Sequence, residues 1–336
     1  MSASLLASMS LPTTEEPQKH GRHMKDHANI GKFNDPYVTA KGDTRAHVAL
    51  TDPQTLWFNT GTLCNIECEN CYILSSPTND ALVYLTADEV SGYLDQLEAR
   101  DWKVREIAFT GGEPFMNPEM TEMARRSLER GYDVLILTNA MHPMQRKRVR
   151  TELLQLAQDF PGKLTLRISV DHWSADLHDK ERGKGTFERT LDGMRWLRDN
   201  NIQMAVAGRT MWNETDADSR AGYADLYARE NFKIDASNPG ETVLFPEMDE
   251  QVEVPEITTD CWGILNKSPN EVMCSSSRMV VKHKGAKTPS VIACTLLPYD
   301  PQFDLGSTLE EAEKPVQLNH PHCAKFCVLG GASCSA

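Results

Sequence analysis

Three cysteines stand within eight residues, Cys64, Cys68 and Cys71 of CNIECENC. Thiolates hold a four-iron cluster one per iron, so a C-x3-C-x2-C triplet can bind three irons and leave the fourth open. An open iron can take a substrate or cofactor, whereas a fully ligated cluster mainly passes electrons. Zinc favours paired C-x2-C or Cys/His ligands that close a four-coordinate site, and no fourth ligand is adjacent here. Further along, Gly111, Gly112, Glu113 and Pro114 follow an apolar run. Glycines let a ligand approach the backbone closely, and a carboxylate just beyond them can accept hydrogen bonds from an ammonium group.

These groups need strands and helices to place them. Thr55–Thr60 (TLWFNT) is a short apolar run of strand formers, and the cysteine triplet directly follows it. Thr86 and Glu89 form a capping box, and behind it Val90, Tyr93, Leu94 and Leu97 mark one face of a helix. Strands are expected at Glu106–Gly111, Asp133–Thr138, Leu164–Val170 and Ile202–Arg209. Helices are expected near Pro118–Arg130, within 144–159, and around Phe187, Leu191, Met194 and Leu197. A sixth strand falls at Phe232–Ala236 or at Thr242–Phe245. Strands alternating with helices imply right-handed crossovers and a parallel sheet. Five or six such units fit a doubly wound sheet or an incomplete TIM-type barrel, with chemistry at the C-terminal ends of the strands. The expected division is an irregular or disordered arm over 1–50, a core over 51–250, and a cysteine-rich module over 251–336.

The chain has 336 residues, 40% of them hydrophobic and 25% charged, an ordinary globular balance. Its net charge of −13 disfavours a large nucleic-acid footprint. No run approaches the roughly 20 apolar residues of a membrane helix, and the N-terminus lacks the pattern of a secretory signal. No membrane association is expected, and the cytoplasm is the expected location. Thiols stay reduced there, so nine cysteines, an odd number, point to metal or cluster ligation.

The triplet after strand one and the GGE turn after strand two resemble the radical S-adenosylmethionine (radical SAM) enzymes. The strand-three ending Leu137-Thr138-Asn139 and the segment from Ser169 to Gly193 are also similar. The resemblance spans about 55–230 and implies a partial (β/α)6 TIM-type barrel. It implies that Cys64, Cys68 and Cys71 ligate a 4Fe–4S cluster whose open iron is chelated by SAM. Gly111, Gly112 and Glu113 would hold the SAM amino end, and Ser169 the ribose or carboxylate, with Asn139 and Arg209 lining the same face. The implied chemistry is reductive cleavage of SAM to a 5′-deoxyadenosyl radical that takes a hydrogen atom from a small-molecule or peptide substrate. A flavodoxin, ferredoxin or reductase would supply the electron. One position departs from the family: the residue before the third cysteine, usually apolar or aromatic and near the adenine, is Asn70, and Tyr72 follows the cysteine.

Cys274, Cys294, Cys323, Cys327 and Cys334, with Cys261 upstream, form a second group. Gly285 and Pro289 between the first two suit a hairpin. This group resembles the SPASM or twitch extensions that carry auxiliary 4Fe–4S clusters. One auxiliary cluster is expected, on Cys274, Cys294, Cys323 and either Cys327 or Cys334. The rivals are a zinc site of His320, His322, Cys323 and Cys327, and buried structural thiols. Elsewhere, His20, His23 and His27 are read as part of a solvated arm rather than a metal site. Asp171 and His172 follow strand four, where a structural histidine is favoured over an acid or base. The acidic run Glu241–Glu256 reads as a solvated linker.

Overall fold

In the computed structural model, residues 29, 31–100, 102–246 and 252–331 are described. His20, His23, His27 and Cys334 therefore lie outside the described residues. In chain order the elements are β1 (His47–Val48), β2 (Thr55–Asn59), α1 (Ala87–Arg100), β3 (Glu106–Thr110), α2 (Met120–Glu129), β4 (Asp133–Thr138), α3 (His142–Gln145) and α4 (Lys147–Asp159). There follow β5 (Leu164–Ser169), α5 (Ala175–Arg182), α6 (Thr186–Asp199), β6 (Gln203–Arg209), α7 (Asp216–Glu230) and β7 (Thr242–Phe245). The C-terminal part holds α8 (Cys261–Leu265), β8 (Ser277–Val281), β9 (Ser290–Ile292), β10 (Asp304–Gly306) and β11 (Val316–Gln317), and then a π-helical turn over Cys323–Leu329.

Strands β2 to β7 lie side by side in sequence order and pair in parallel. Their centres are near-continuous apolar runs, because helices cover a parallel sheet and both of its faces are buried. The capping box closes as expected: the Thr86 N–H donates to Glu89 Oε2 (3.0 Å) and the Glu89 N–H to Thr86 Oγ1 (3.1 Å). Val90, Tyr93, Leu94 and Leu97 of α1 are buried, as are Phe187, Leu191, Met194 and Leu197 of α6. The sixth strand is Thr242–Phe245, which pairs with Val206–Arg209 of β6. This mixed α/β fold with an open parallel sheet is the expected partial barrel.

The C-terminal segment continues the same sheet. Strand β8 pairs in parallel with the other edge of β2, and β9 and β10 follow antiparallel, giving this sheet nine strands among the described residues. The hairpin expected around Gly285 is β8–β9. One hydrophobic cluster joins Leu56 and Ile107 of the barrel strands to Met279, Val291, Leu318 and Phe326, so the change near residue 250 is one of connection more than of core.

Residues 31–50, expected as part of an irregular arm, make defined contacts. His47–Val48 pairs with Val316–Gln317, and the buried Arg45 forms an ion pair with Glu256 (2.5 Å). Glu256 also accepts the backbone N–H groups of Phe33 (2.9 Å) and Ala40 (2.7 Å). It is a structural carboxylate and not part of a solvated linker, because a buried guanidinium needs it. Among the described residues no helix is long and apolar enough to cross a membrane.

Candidate functional site

The C-terminal ends of β2 to β6 meet around one cavity of about 190 Å³. Cys64, Cys68 and Cys71 line it from the loop after β2, and Gly111 and Gly112 from the turn after β3. Asn139, Ser169 and Arg209 line it from the ends of β4, β5 and β6. The structure thus brings together the barrel's candidate cluster and SAM residues except Glu113, which is absent from the lining.

Glu113 is buried behind the turn. Its Oε1 accepts from Thr138 Oγ1 (2.8 Å) and the Phe115 N–H (3.2 Å), and its Oε2 accepts from the Asn139 N–H (2.9 Å). Burial raises its pKa, partly offset by these donors. The carboxylate ties the glycine turn to the end of β4, accepting three hydrogen bonds as it does so. Asn139 is similarly committed: Nδ2 donates to Asn65 Oδ1 (2.9 Å) and Oδ1 accepts from the Met141 N–H (3.0 Å).

The glycines are required by close packing. The Gly112 N–H donates to Gly61 O (2.9 Å) and the Glu113 N–H to Leu63 O (3.1 Å), so the turn lies against the loop leading to Cys64. A Cβ on Gly112 would stand 2.4 Å from Leu63 O, and one on Gly111 2.6 Å from Gly61 O. Gly111 also has φ +150°, a conformation that favours glycine.

Burial pushes the Cys64 thiol up to about 12 and the Cys68 thiol to about 11. A bound metal supplies the charge that deprotonates such thiols. Arg182 also faces them, lowering both, and is itself held by Asp171 (Nε–Oδ2 2.6 Å, Nη2–Oδ1 3.1 Å). Burial alone would raise Asp171, but Arg182 together with Arg209 and His178 outweighs it and holds that carboxyl below its usual range. His172 is a structural histidine, buried between Glu214 (Nε2 to Oε1, 3.0 Å) and Ser174 (Nδ1 to Oγ, 2.8 Å).

The departure at Asn70 has a structural counterpart. Glu181 Oε1 accepts the Asn70 N–H (2.9 Å) and its Oε2 accepts Asn70 Nδ2 (2.8 Å). Arg209 donates to Glu181 Oε1 (3.0 Å), to Asn70 O (2.9 Å) and to Tyr72 Oη (3.2 Å), with its guanidinium 4.5 Å from the Tyr72 ring centroid. Arg209 is therefore buried and ties the cysteine loop to β6, unlike an ordinary surface arginine. The wall where the family carries an apolar residue is polar and charged in this chain.

Sequence reasoning missed Asn59. It is fully buried at the end of β2 and lines the cavity. Its Oδ1 accepts from the Gly61 N–H (3.0 Å), while Nδ2 has no hydrogen-bond partner among the described residues. A buried unpaired donor is costly, and a ligand in the cavity would satisfy it. No local spacing signals this, since an asparagine closing a strand reads as a turn residue. Trp57, Phe245, Leu296 and Phe326 add apolar walls, and Ser75, Thr110, Thr138 and Thr295 add hydroxyls.

A second cavity is lined by Cys274, Cys294, Cys323 and Cys327, together with His322. They come from the turn before β8, the end of β9 and the π-helical turn. Burial raises the Cys274 thiol to about 11 and Cys323 well above its usual value. Cys261 lies apart in α8, its sulfur accepting the Thr258 N–H (3.4 Å). Leu296 and Phe326 line both cavities and separate them. Among the described residues no three His, Cys, Asp or Glu side chains converge on a point as for a single metal ion; the thiols ring cavities instead. Three thiols, an unpaired donor and glycines without room for a side chain fit a cluster and a ligand lying against the backbone.

The chain matches the Radical SAM superfamily over residues 58–220. It is 28% identical over 258 residues to the antilisterial bacteriocin subtilosin biosynthesis protein AlbA of Bacillus subtilis (strain 168), covering 73% of this chain and 55% of that protein. It is 30% identical over 155 residues to an AdoMet-dependent heme synthase of Methanosarcina barkeri, covering 45% and 41%. The chain thus spans about half the length of these relatives. Streptococcus suis SuiB bound to the precursor peptide SuiA shares the fold at TM-score 0.57 and 12% identity, over 79% of this chain and 66% of that one. So does anSMEcpe with bound AdoMet and the Cp18Cys peptide, at TM-score 0.54 and 13% identity, over 83% and 87%. With its thiol triplet and glycine turn at one cavity, the chain belongs to the radical SAM superfamily, whose cofactors are a 4Fe–4S cluster and S-adenosylmethionine.

Proposed function

We propose that this protein is a radical SAM enzyme that modifies a peptide, with Cys64, Cys68 and Cys71 holding the SAM-binding cluster. Bound there and reduced by a flavodoxin, ferredoxin or reductase, the cofactor pair supplies a 5′-deoxyadenosyl radical that removes a hydrogen atom from the substrate. The observation that carries the reading is the shared cavity, lined both by the three cysteines and by Gly111 and Gly112. That backbone would receive the amino end of SAM, braced from behind by Glu113. Ser169 would meet the ribose or carboxylate. Arg209 and Asn139 act more on the loops than on the ligand. Trp57, Phe245 and Phe326 keep water from a reactive radical.

Cys274, Cys294, Cys323 and Cys327 would hold an auxiliary 4Fe–4S cluster, one thin wall away from the substrate, that assists oxidation or bond formation. The peptide is favoured over a small molecule because the similarity to AlbA, named for bacteriocin biosynthesis, runs over 258 residues, whereas that to the heme synthase ends at 155.

The test is anaerobic reconstitution, reduction and assay for 5′-deoxyadenosine. Replacing Cys64, Cys68 and Cys71 with alanine should abolish it and leave about half the iron, four irons per cluster being lost. Deoxyadenosine that persists in this variant overturns the assignment.

A further inference from the structure

Strand β8 carries a buried charge with no opposite charge beside it. Arg278 is 1% exposed. Its Nε donates to Ala312 O (2.9 Å), Nη1 to Cys274 O (2.6 Å) and Ser277 O (2.9 Å), and Nη2 to Lys314 O (3.2 Å). All four acceptors are neutral carbonyls, and among the described residues no carboxylate pairs with this guanidinium. Two other buried arginines do have one: Arg45 has Glu256 and Arg209 has Glu181.

Arginine stays protonated in proteins, and an isolated buried charge is strongly disfavoured unless it is paired. Four carbonyls satisfy its donors but not its charge. The group it does reach is Cys274, whose carbonyl it holds and whose thiolate it would stabilise. Cys274 lines the four-cysteine cavity, whose other walls are apolar apart from His322.

We propose that Arg278 is the counter-charge of an anionic, thiolate-ligated iron–sulfur centre in this second cavity and sets its reduction potential. The proposal rests on the reading of the four cysteines given above and deepens it. A four-iron centre with four thiolate ligands is an anion, and one-electron reduction adds a further negative charge there. A fixed cation alongside favours the reduced form more than the oxidised one. The cation thus promotes transfer of one electron into the centre from the substrate radical, or from dithionite in the test. Neutral structural thiols would leave Arg278 uncompensated. So would a Cys2His2 zinc site, whose two thiolates only balance the metal.

The test uses the full chain with Cys64, Cys68 and Cys71 replaced by alanine, so that only the second centre is titrated. Iron is reconstituted anaerobically, and the centre is followed by electron paramagnetic resonance during stepwise reduction with dithionite. R278M should lower the ratio of reduced to oxidised centre about tenfold at a fixed potential, which corresponds to about 59 mV for one electron. It should also shrink the rise in Tm on reconstitution. R278K, which keeps the charge, should restore most of the potential. Should R278M fail to fold, R278Q retains two donors for the carbonyls and reads the same shift.

An unchanged midpoint and an equal Tm rise in R278M or R278Q would make Arg278 a purely structural residue and overturn the proposal. So would a parent that takes up zinc but no iron. Loss of SAM cleavage in the wild-type chain would sink the radical SAM reading alone, because the second centre is measured here without it.

Discussion

Gly112→Ala isolates the geometry of the site from its ligands. The added Cβ would lie 2.4 Å from Leu63 O and 2.6 Å from Thr62 O, against the 3.0 Å that such contacts keep, so the two segments must part by about 0.6 Å. Both neighbours are backbone atoms, and no side chain can swing aside. Gly112 does not have a positive φ, so alanine adds no conformational strain and the effect is steric. Leu63 directly precedes Cys64, and the displacement lands on a cluster ligand. A misplacement near 1 Å costs about 100-fold in rate; 0.6 Å should cost about 10- to 100-fold, equivalent to ~1.4–2.7 kcal/mol of barrier. The assay is 5′-deoxyadenosine formation at saturating SAM, with iron counted per chain to separate misalignment from cluster loss. Gly92→Ala is the control: it lies inside α1 with open space around it, and should stabilise by about 0.5–1 kcal/mol without changing the rate. Wild-type iron and a wild-type rate in G112A would refute the reasoning that the glycine turn sets the position of the cysteine loop.

Two further outcomes follow from other parts of the molecule. Cys294→Ala should spare SAM cleavage while losing the second centre's iron and most of the modified product; an undiminished product yield would remove that centre from the reaction. His178 is fully buried, neither ring nitrogen has a hydrogen-bond partner among the described residues, and burial, helped by Arg182, depresses its pKa to about 4. The unfolded chain takes up a proton near pH 6.5 that the folded chain refuses. This contribution is therefore complete above pH 6.5 and is lost as pH falls toward 4. Between pH 7 and 5 the loss is about 2 kcal/mol at 1.36 kcal/mol per pH unit. Urea melts at the two pH values should show a smaller acid loss in H178L; an equal loss in both proteins would contradict the assignment.

What could be read from the sequence is what is local. The strands at 55–59, 106–110 and 133–138 are short apolar runs, and Thr86 with Glu89 is a box of four residues that closes on itself. The cysteine triplet is equally local: its spacing pointed to a cluster with one open iron, while the SAM chemistry was implied by resemblance. The choice between Phe232–Ala236 and Thr242–Phe245 was not local. It is decided by pairing with β6, while Phe232, Ile234 and Ala236 are buried in the connecting loop. Strand β8 beside β2, and Arg45 against Glu256 across 211 residues, have no periodicity to announce them. Glu113 is the subtler case: the motif places a carboxylate at the turn but does not say which way it faces, and Thr138 and Asn139 donate to it from the end of β4.

The second cysteine group sits between these cases. Four thiols gather from segments at 274, 294 and 323–327 only because β8 extends the barrel sheet and β9 returns along it. Once gathered, they surround a space that the sequence could name only by resemblance. Arg278 is the corresponding charge, on the strand that joins this group to the barrel, and in sequence it is one arginine in an apolar run. Its meaning depends on which groups are missing around it. Spacing can announce a ligand set held by one loop, whereas one assembled across a sheet shows itself through the charge its surroundings leave unbalanced.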